Sequence, residues 1–267
     1  MDETGDGHDR GQEPLKRHLI ITGATGELGS GVLRAALARE DIDLVIATSH
    51  SRPIQATSDK LVKLESLDLA SPLGIVQLTE LLSSFGKAKS GLLHCAGSFP
   101  DPMALHRMDT LQISSVIAAN TLTFLGAAKA ILPQMRLAEW GRLVAFTSHT
   151  QGAAYPFLGA FNLAKAALLS AVHTLAHENA RFGIACNAIA VATLRTEVER
   201  HIKPQGRYED WVSVDELSKY AIELAFSESS NVNGSELHYW TYSESFFSES
   251  VFERNSLDIK GRDPGFM

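Results

Sequence analysis

Cysteine is nearly absent, with only Cys95 and Cys186 in 267 residues. Each sits within an apolar run of the kind that forms a buried strand, which suits reduced core thiols and excludes a disulfide-stapled scaffold or a thiolate metal centre. Positive charge is also short: 24 Lys and Arg stand against 31 Asp and Glu, a formal net charge of -7. The basic residues form no block able to track a phosphate backbone, so nucleic acid is not an expected partner. No apolar stretch approaches the roughly 18 residues needed to span a bilayer, and the opening MDETGDGHDRGQEPLKR is acidic where a signal peptide would be apolar. The expectation is a cytoplasmic protein with a small-molecule substrate, no membrane partner and no metal.

What is present is the composition of an ordinary compact protein, 45% hydrophobic and 21% charged, which excludes disorder and fibrous architectures. Residues 1–16 read as a mobile tail. From residue 18 onward short apolar runs alternate with longer segments of helical period. The strand candidates are His18–Thr22, Leu44–Thr48, Leu61–Glu65, Gly91–Cys95, Arg142–Thr147, Gly183–Ala190 and Ser235–Trp240. Most are continuous Val/Ile/Leu runs, the pattern of strands covered on both faces. Helical segments fall near 30–40, 72–85, 110–137, 156–181 and 213–228, the last opening with a Ser213/Glu216 capping box. Strands alternating with crossover helices predict a single α/β domain over residues 17–242, a Rossmann-type doubly wound parallel sheet of about seven strands. The aromatic-rich residues 243–267 are expected to pack on the surface or on a neighbouring subunit.

The first strand runs into Gly23, Thr25, Gly26, Leu28 and Gly29 and then a helix. Glycines there let the backbone turn tightly and approach a pyrophosphate, while the helix N-terminus offers unpaired N–H groups and partial positive charge. Dinucleotide folds usually end the second strand on a carboxylate for the adenosine ribose. This chain has Ser49, His50 and Arg52 instead. A carboxylate would repel a 2′-phosphate, whereas hydroxyls beside Arg52 and His50 can bind it, so NADP(H) is expected in preference to NAD(H).

Four further segments are more specific: Leu93-His94-Cys95-Ala96-Gly97, Asn120 within a helix, Gly141 through Ser148, and Phe161-Asn162-Leu163-Ala164-Lys165. Together they resemble the classical short-chain dehydrogenase/reductase family, over residues 18 to about 240. Leu67-Asp68-Leu69 resembles the segment whose Asp contacts adenine, and Asn187-Ala188-Ile189-Ala190 the strand that leads into the nicotinamide loop. The resemblance implies that Asp68, Leu69, Ala96, Gly97, Lys165 and Thr196 lie along the cofactor. It further implies that Asn120 fixes a relay water or a backbone kink, Ser148 holds the substrate's polar group, and Lys165 holds the nicotinamide ribose. A homodimer or homotetramer through helices 110–137 and 156–181, with Ala127, Ala128, Ala164, Ala166 and Ala167 permitting close approach, is implied as well.

The family's tyrosine is missing. Phe161 follows Ser148 by 13 residues and precedes Lys165 by four, the family's intervals, so Phe161 takes the position of the proton donor. Losing a positioned general acid costs roughly 10²–10⁴-fold in carbonyl reduction. Glu27 also replaces a glycine of the classical spacing, leaving Gly23, Gly26 and Gly29 in a spacing more like that of extended members of the family, His94 and Cys95 replace a pair of asparagines, and Val191-Ala192 replace Pro-Gly. Several explanations are open. Tyr155 or His149 can supply the proton instead. The substrate can be an imine, iminium or activated double bond that accepts hydride without an acid. The chain can serve as a non-redox cyclase or isomerase, or as a non-catalytic cofactor-binding subunit, or Phe161 can be an engineered replacement in a carbonyl reductase. Glu197–Trp211, with Tyr208 and Trp211, is the expected substrate lid.

Overall fold

The computed structural model describes residues 14–152, 155–202 and 204–240. Seven strands form one sheet: β1 (Arg17–Thr22), β2 (Leu44–Thr48), β3 (Leu61–Leu64), β4 (Lys89–His94), β5 (Gly141–Ser148), β6 (Ile184–Val191) and β7 (Glu236–Tyr239). Their order is β3-β2-β1-β4-β5-β6-β7 and every neighbouring pair is parallel. The chain therefore reverses its direction of travel between β1 and β4, which opens a crevice at the carboxyl ends of those strands. Successive residues of the central strands serve opposite faces. Ile20, Ile46 and Leu92 enter one core, whereas Leu19, Ile21, Val45 and Leu93 enter the other, which is why these strands carry no polar alternation.

Two helical layers cover the sheet. Leu78 and Leu82 of α2 (Pro72–Ser83), Phe124 and Met135 of α4 (Thr123–Ala138), and Leu168 and Val172 of α5 (Gly159–Asn179) pack on one face. Val32 and Leu33 of α1 (Glu27–Leu37) and Leu217 and Ile222 of α7 (Val214–Ala225) pack on the other. Ser71 caps α2 by accepting from the Gly74 amide, with Pro72 at the first helical position.

Several expectations change. The helix over 110–137 is divided into α3 (Thr110–Ile117), a π-helical turn at Ala118–Leu122, and α4. This same stretch, Thr110–Ala138, is long and apolar enough by length and composition to cross a membrane, contrary to the reading that no such segment exists. Its hydropathy comes from Ala, Gly, Leu and Ile dispersed among Ser and Thr, and more than half of it is buried inside the domain. The reciprocal capping box lies at Asp109/Gln112; Ser213 accepts only the Glu216 amide, at 3.4 Å. Ala127, Ala128 and Ala164 are buried within the chain, leaving Ala166 and Ala167 exposed for any contact between copies. Cys95 lies one residue beyond β4, and both cysteines are free thiols. Residues 1–13 of the expected tail, and all of 243–267, lie outside the described residues.

Candidate active site

The turn after β1 is fixed by sterics. Gly23 has φ +64°, and a Cβ on it would stand 2.6 Å from the Ala96 backbone. A Cβ on Gly29 would stand 2.1 Å from the Gly23 carbonyl oxygen. The amide of Gly26 donates to that same carbonyl at 3.0 Å, closing the turn that starts α1. Thr25 is half-buried here, and the Leu28 side chain packs against the core under α1.

At the end of β2, Ser49 is buried and its hydroxyl has no hydrogen-bond partner among the described residues. His50 and Arg52 are exposed, and Arg52 Nη2 donates to the Thr25 carbonyl at 2.6 Å, drawing its guanidinium beside the glycine turn. A cavity of about 650 Å³ opens between α1 and residues 52–57, with Thr25, Ser30, Arg34, Arg52 and Thr57 on its walls. An orphaned hydroxyl, a tight glycine turn and a guanidinium with no ion pair among the described residues fit a nucleotide bearing a 2′-phosphate. Asp68 is exposed and its carboxylate accepts the Ala70 amide at 2.9 Å. The Leu69 side chain belongs to the core, so only its backbone can face a ligand.

Across the crevice, Gly97, Asn120 and Lys165 converge: a Cβ on Gly97 would stand 2.6 Å from Asn120 Oδ1 and 3.8 Å from Lys165 Nζ. Asn120 Nδ2 donates to the Ser98 and Val116 carbonyls, both at 2.9 Å. Val116 lies four residues back, so the side chain takes a carbonyl displaced by the π turn and ties the loop after β4 to the helix. Asn120 thus fixes a backbone kink, with both protons of its amide committed.

Lys165, projecting inward from α5, donates to the Phe146 carbonyl at 2.8 Å. Burial pushes its ammonium down to about 8, with the nearby Cys95 opposing weakly. His94 is enclosed between Thr22 Oγ1, 2.8 Å from Nδ1, and Thr123 Oγ1, 3.4 Å from Nε2. Burial first, and the Lys165 charge second, push it down to about 3, so it is neutral at physiological pH.

Phe161 lies one helical turn before Lys165. Its ring is buried, packs on Phe99 at 4.7 Å between centroids, and has the Lys165 ammonium 5.4 Å from its centre. Ser148 Oγ lies 2.9 Å from Thr150 Oγ1, which in turn donates to Asn162 Oδ1 at 2.8 Å. Thr150 has a single hydroxyl proton and spends it on Asn162, so Ser148 must be the donor in the first link. Neither Thr150 nor Asn162 was singled out from the sequence, and no local pattern there announces them. Asn162 Nδ2 donates to the Tyr155 carbonyl at 3.5 Å. The Tyr155 ring meets His149 edge-on at 5.7 Å, burial pushes its phenol up, and His149 Nδ1 lies 3.1 Å from the Val191 carbonyl.

Thr196 is buried and its Oγ1 accepts the Glu199 amide at 3.2 Å, within α6 (Glu197–Ile202). The expected lid starts here: Trp211 is buried, Tyr208 packs on it at 5.2 Å, and Arg200 lies 3.7 Å from the Tyr208 ring centre.

A family model described as Enoyl-(Acyl carrier protein) reductase matches residues 33–239. The chain belongs to this family, within the short-chain dehydrogenase/reductases. The vibriobactin-specific 2,3-dihydro-2,3-dihydroxybenzoate dehydrogenase of Vibrio cholerae is 21% identical over 218 residues, 79% of this chain and 82% of that protein. The 2-(R)-hydroxypropyl-CoM dehydrogenase of Xanthobacter autotrophicus is 26% identical over 243 residues, 84% and 96% of the two chains. A gluconate 5-dehydrogenase from Burkholderia cenocepacia, solved with NADP and tartrate, shares the fold at TM-score 0.72 and 20% identity, covering 85% of this chain and 94% of that one. As a short-chain dehydrogenase/reductase, the protein is a member of an oxidoreductase family. The match begins at residue 33, so the glycine turn with Glu27 precedes the matched residues.

Proposed function

We propose that this protein is an NADP(H)-dependent oxidoreductase that adds hydride to an activated carbon–carbon double bond, a substrate that requires no proton from position 161. The NADP preference rests on Ser49, His50 and Arg52 in place of a carboxylate, and the Burkholderia cenocepacia neighbour was itself solved with NADP. The single observation that carries the reading is Phe161: a buried ring without a titratable group stands one turn before a buried Lys165. Where a ketone is reduced, the alkoxide that forms must be protonated in place, and a benzyl side chain has nothing to give.

When bound, the nicotinamide supplies a hydride. The chain's residues do the rest. Lys165 and Asp68 are placed to hold the ribose and adenine portions. Ser148, after exchanging Thr150 for substrate, would hydrogen-bond the carbonyl oxygen of a bound enone, where the displaced π electrons collect once a hydride has bonded to the β-carbon. The α-carbon then takes a proton from water, which closes the balance without a side-chain acid. Phe161 packs on Phe99 as an apolar wall against which the hydrocarbon part of a substrate would lie. A second reading, hydride addition to an iminium, is favoured by the same wall: the Phe161 ring already stands 5.4 Å from one cation. We also propose a homodimeric or homotetrameric assembly in the cytoplasm.

The test is NADPH consumption by the full chain with an enone, a cyclic iminium and a ketone of matched size. Turnover of the enone or the iminium at least roughly 100-fold above the ketone is the expected result. A ketone turned over as fast as the others contradicts the reading.

A further inference from the structure

Glu27 does something unusual for a residue in a phosphate-binding turn. It is the first residue of α1, between Gly26 and Gly29, at the helix N-terminus where the diphosphate of the proposed dinucleotide would rest. Its carboxylate reaches across the crevice: Oε2 accepts the Glu197 amide at 2.7 Å and Oε1 the Val198 amide at 3.2 Å. Those amides belong to the first turn of α6, whose early N–H groups have no partner within the helix. The next one, on Glu199, is taken by Thr196 Oγ1. At six residues, α6 is too short to persist on its own propensity and depends on these caps. Gly26, the residue before α1, provides no side-chain cap, so the Glu27 carboxylate is the anionic group at that helix start. One carboxylate therefore faces the positive end of α1 while fastening the start of the expected lid to the nucleotide turn.

We infer that Glu27 is an internal counterpart of the diphosphate: it tethers residues 197–198 over the glycine turn and competes with the dinucleotide, setting how tightly and how selectively the cofactor is taken. The inference rests on the proposed NADP(H) reading. A diphosphate brings two negative charges to ground already held by a third, so entry requires the carboxylate to swing out and α6 to give up two hydrogen bonds. Removing the carboxylate abolishes both penalties. At separations near 5 Å in a solvated crevice, like-charge repulsion of this kind corresponds to a roughly 5- to 50-fold change in affinity. A nucleotide lacking the diphosphate, such as nicotinamide mononucleotide, gains less from the change because it presents only one phosphate.

The experiment uses the full chain as wild type, Glu27→Gln and Glu27→Ala. Calorimetry measures NADPH binding, and amide exchange without cofactor measures residues 197–199. The expected result is exchange at Glu197 and Val198 at least roughly tenfold faster in Glu27→Ala, because the caps are gone, together with NADPH binding tightened roughly 5- to 50-fold in both variants. Wild type that binds NADPH while both variants bind it equally or more weakly overturns the competition and leaves the cofactor reading intact. Unchanged exchange at 197–198 overturns the tether. Failure of wild type and both variants to bind any pyridine nucleotide overturns the cofactor reading and this inference with it. Glu27→Gln is isosteric and exposed, so a folding defect does not obscure the outcome.

Discussion

The two sides of the crevice obey the same backbone rules and depart from the family at opposite kinds of position. On the nucleotide side, Gly23 and Gly29 are dictated by sterics, since a Cβ at either would press on backbone at 2.6 or 2.1 Å, yet the charge placed on that frame is altered by Glu27, Ser49 and Arg52. On the side proposed to take substrate, the π turn at Asn120, the Lys165 hydrogen bond and the Ser148–Thr150–Asn162 chain hold the frame, and position 161 carries a phenylalanine ring with no hydroxyl. Backbone approach leaves no room for exchange, whereas side-chain tips are free to differ once the frame exists. The difference between the sides is that one alters what is attracted and the other alters what is donated.

The comparison breaks first where the frame is touched. Gly29→Ala forces its methyl group onto the Gly23 carbonyl, and is expected to lower stability by about 3 kcal/mol in urea unfolding and to abolish NADPH binding. An effect within experimental error would show that the turn is not the rigid element described.

A second prediction concerns pH. His94 is pushed down to about 3 in the fold, while an unfolded histidine titrates near 6.5. Between those values the unfolded chain binds a proton that the folded chain does not, so this group makes stability fall as pH drops from about 6.5 toward 3, with a limiting slope of about 1.4 kcal/mol per pH unit. His94→Asn should flatten that part of the unfolding free-energy profile, and an unaltered slope would place the acid sensitivity elsewhere. Lys165 has the same sign at the other end of the scale: with its ammonium pushed down to about 8, stability contributed by this group grows as pH rises from about 8 toward 10.5. Lys165→Met should remove that rise, read as melting temperature against pH.

A smaller effect tests the polar chain. Thr150→Val removes the acceptor for Ser148 and the donor to Asn162, and should lower kcat/KM by the equivalent of about 1–3 kcal/mol, more than it lowers protein stability. The smallest is at the helix start: Asp109→Ala loses a reciprocal cap and is expected to cost about 1 kcal/mol without altering turnover.

Much of this was legible in the sequence for physical reasons. Seven apolar runs became seven strands because doubly covered strands need no polar alternation, and Ser148, Phe161 and Lys165 could be placed because the spacing along one strand and one helix leaves little freedom. The π turn was not legible, since Ala-Ala-Asn-Thr has ordinary helical composition and the turn shows only in the backbone bond from the Thr123 amide to the Ala118 carbonyl, five residues back. The Glu27 tether was not legible because its partners lie 170 residues away. The Asp109/Gln112 box had a readable pattern, while Ser213/Glu216, with the better-known residue pair, formed only one of its two bonds. Leu69, which the resemblance sets beside the cofactor, spends its side chain on the core and has its backbone left for a ligand.

The central proposal, that Phe161 is what keeps this crevice from reducing ketones, is tested most directly by steady-state ketone reduction with NADPH in Phe161→Tyr against wild type. The account predicts a rise of roughly 10²–10⁴-fold in kcat/KM, with the enone rate changing little. Equal and negligible ketone reduction by both proteins, with NADPH bound, would contradict it.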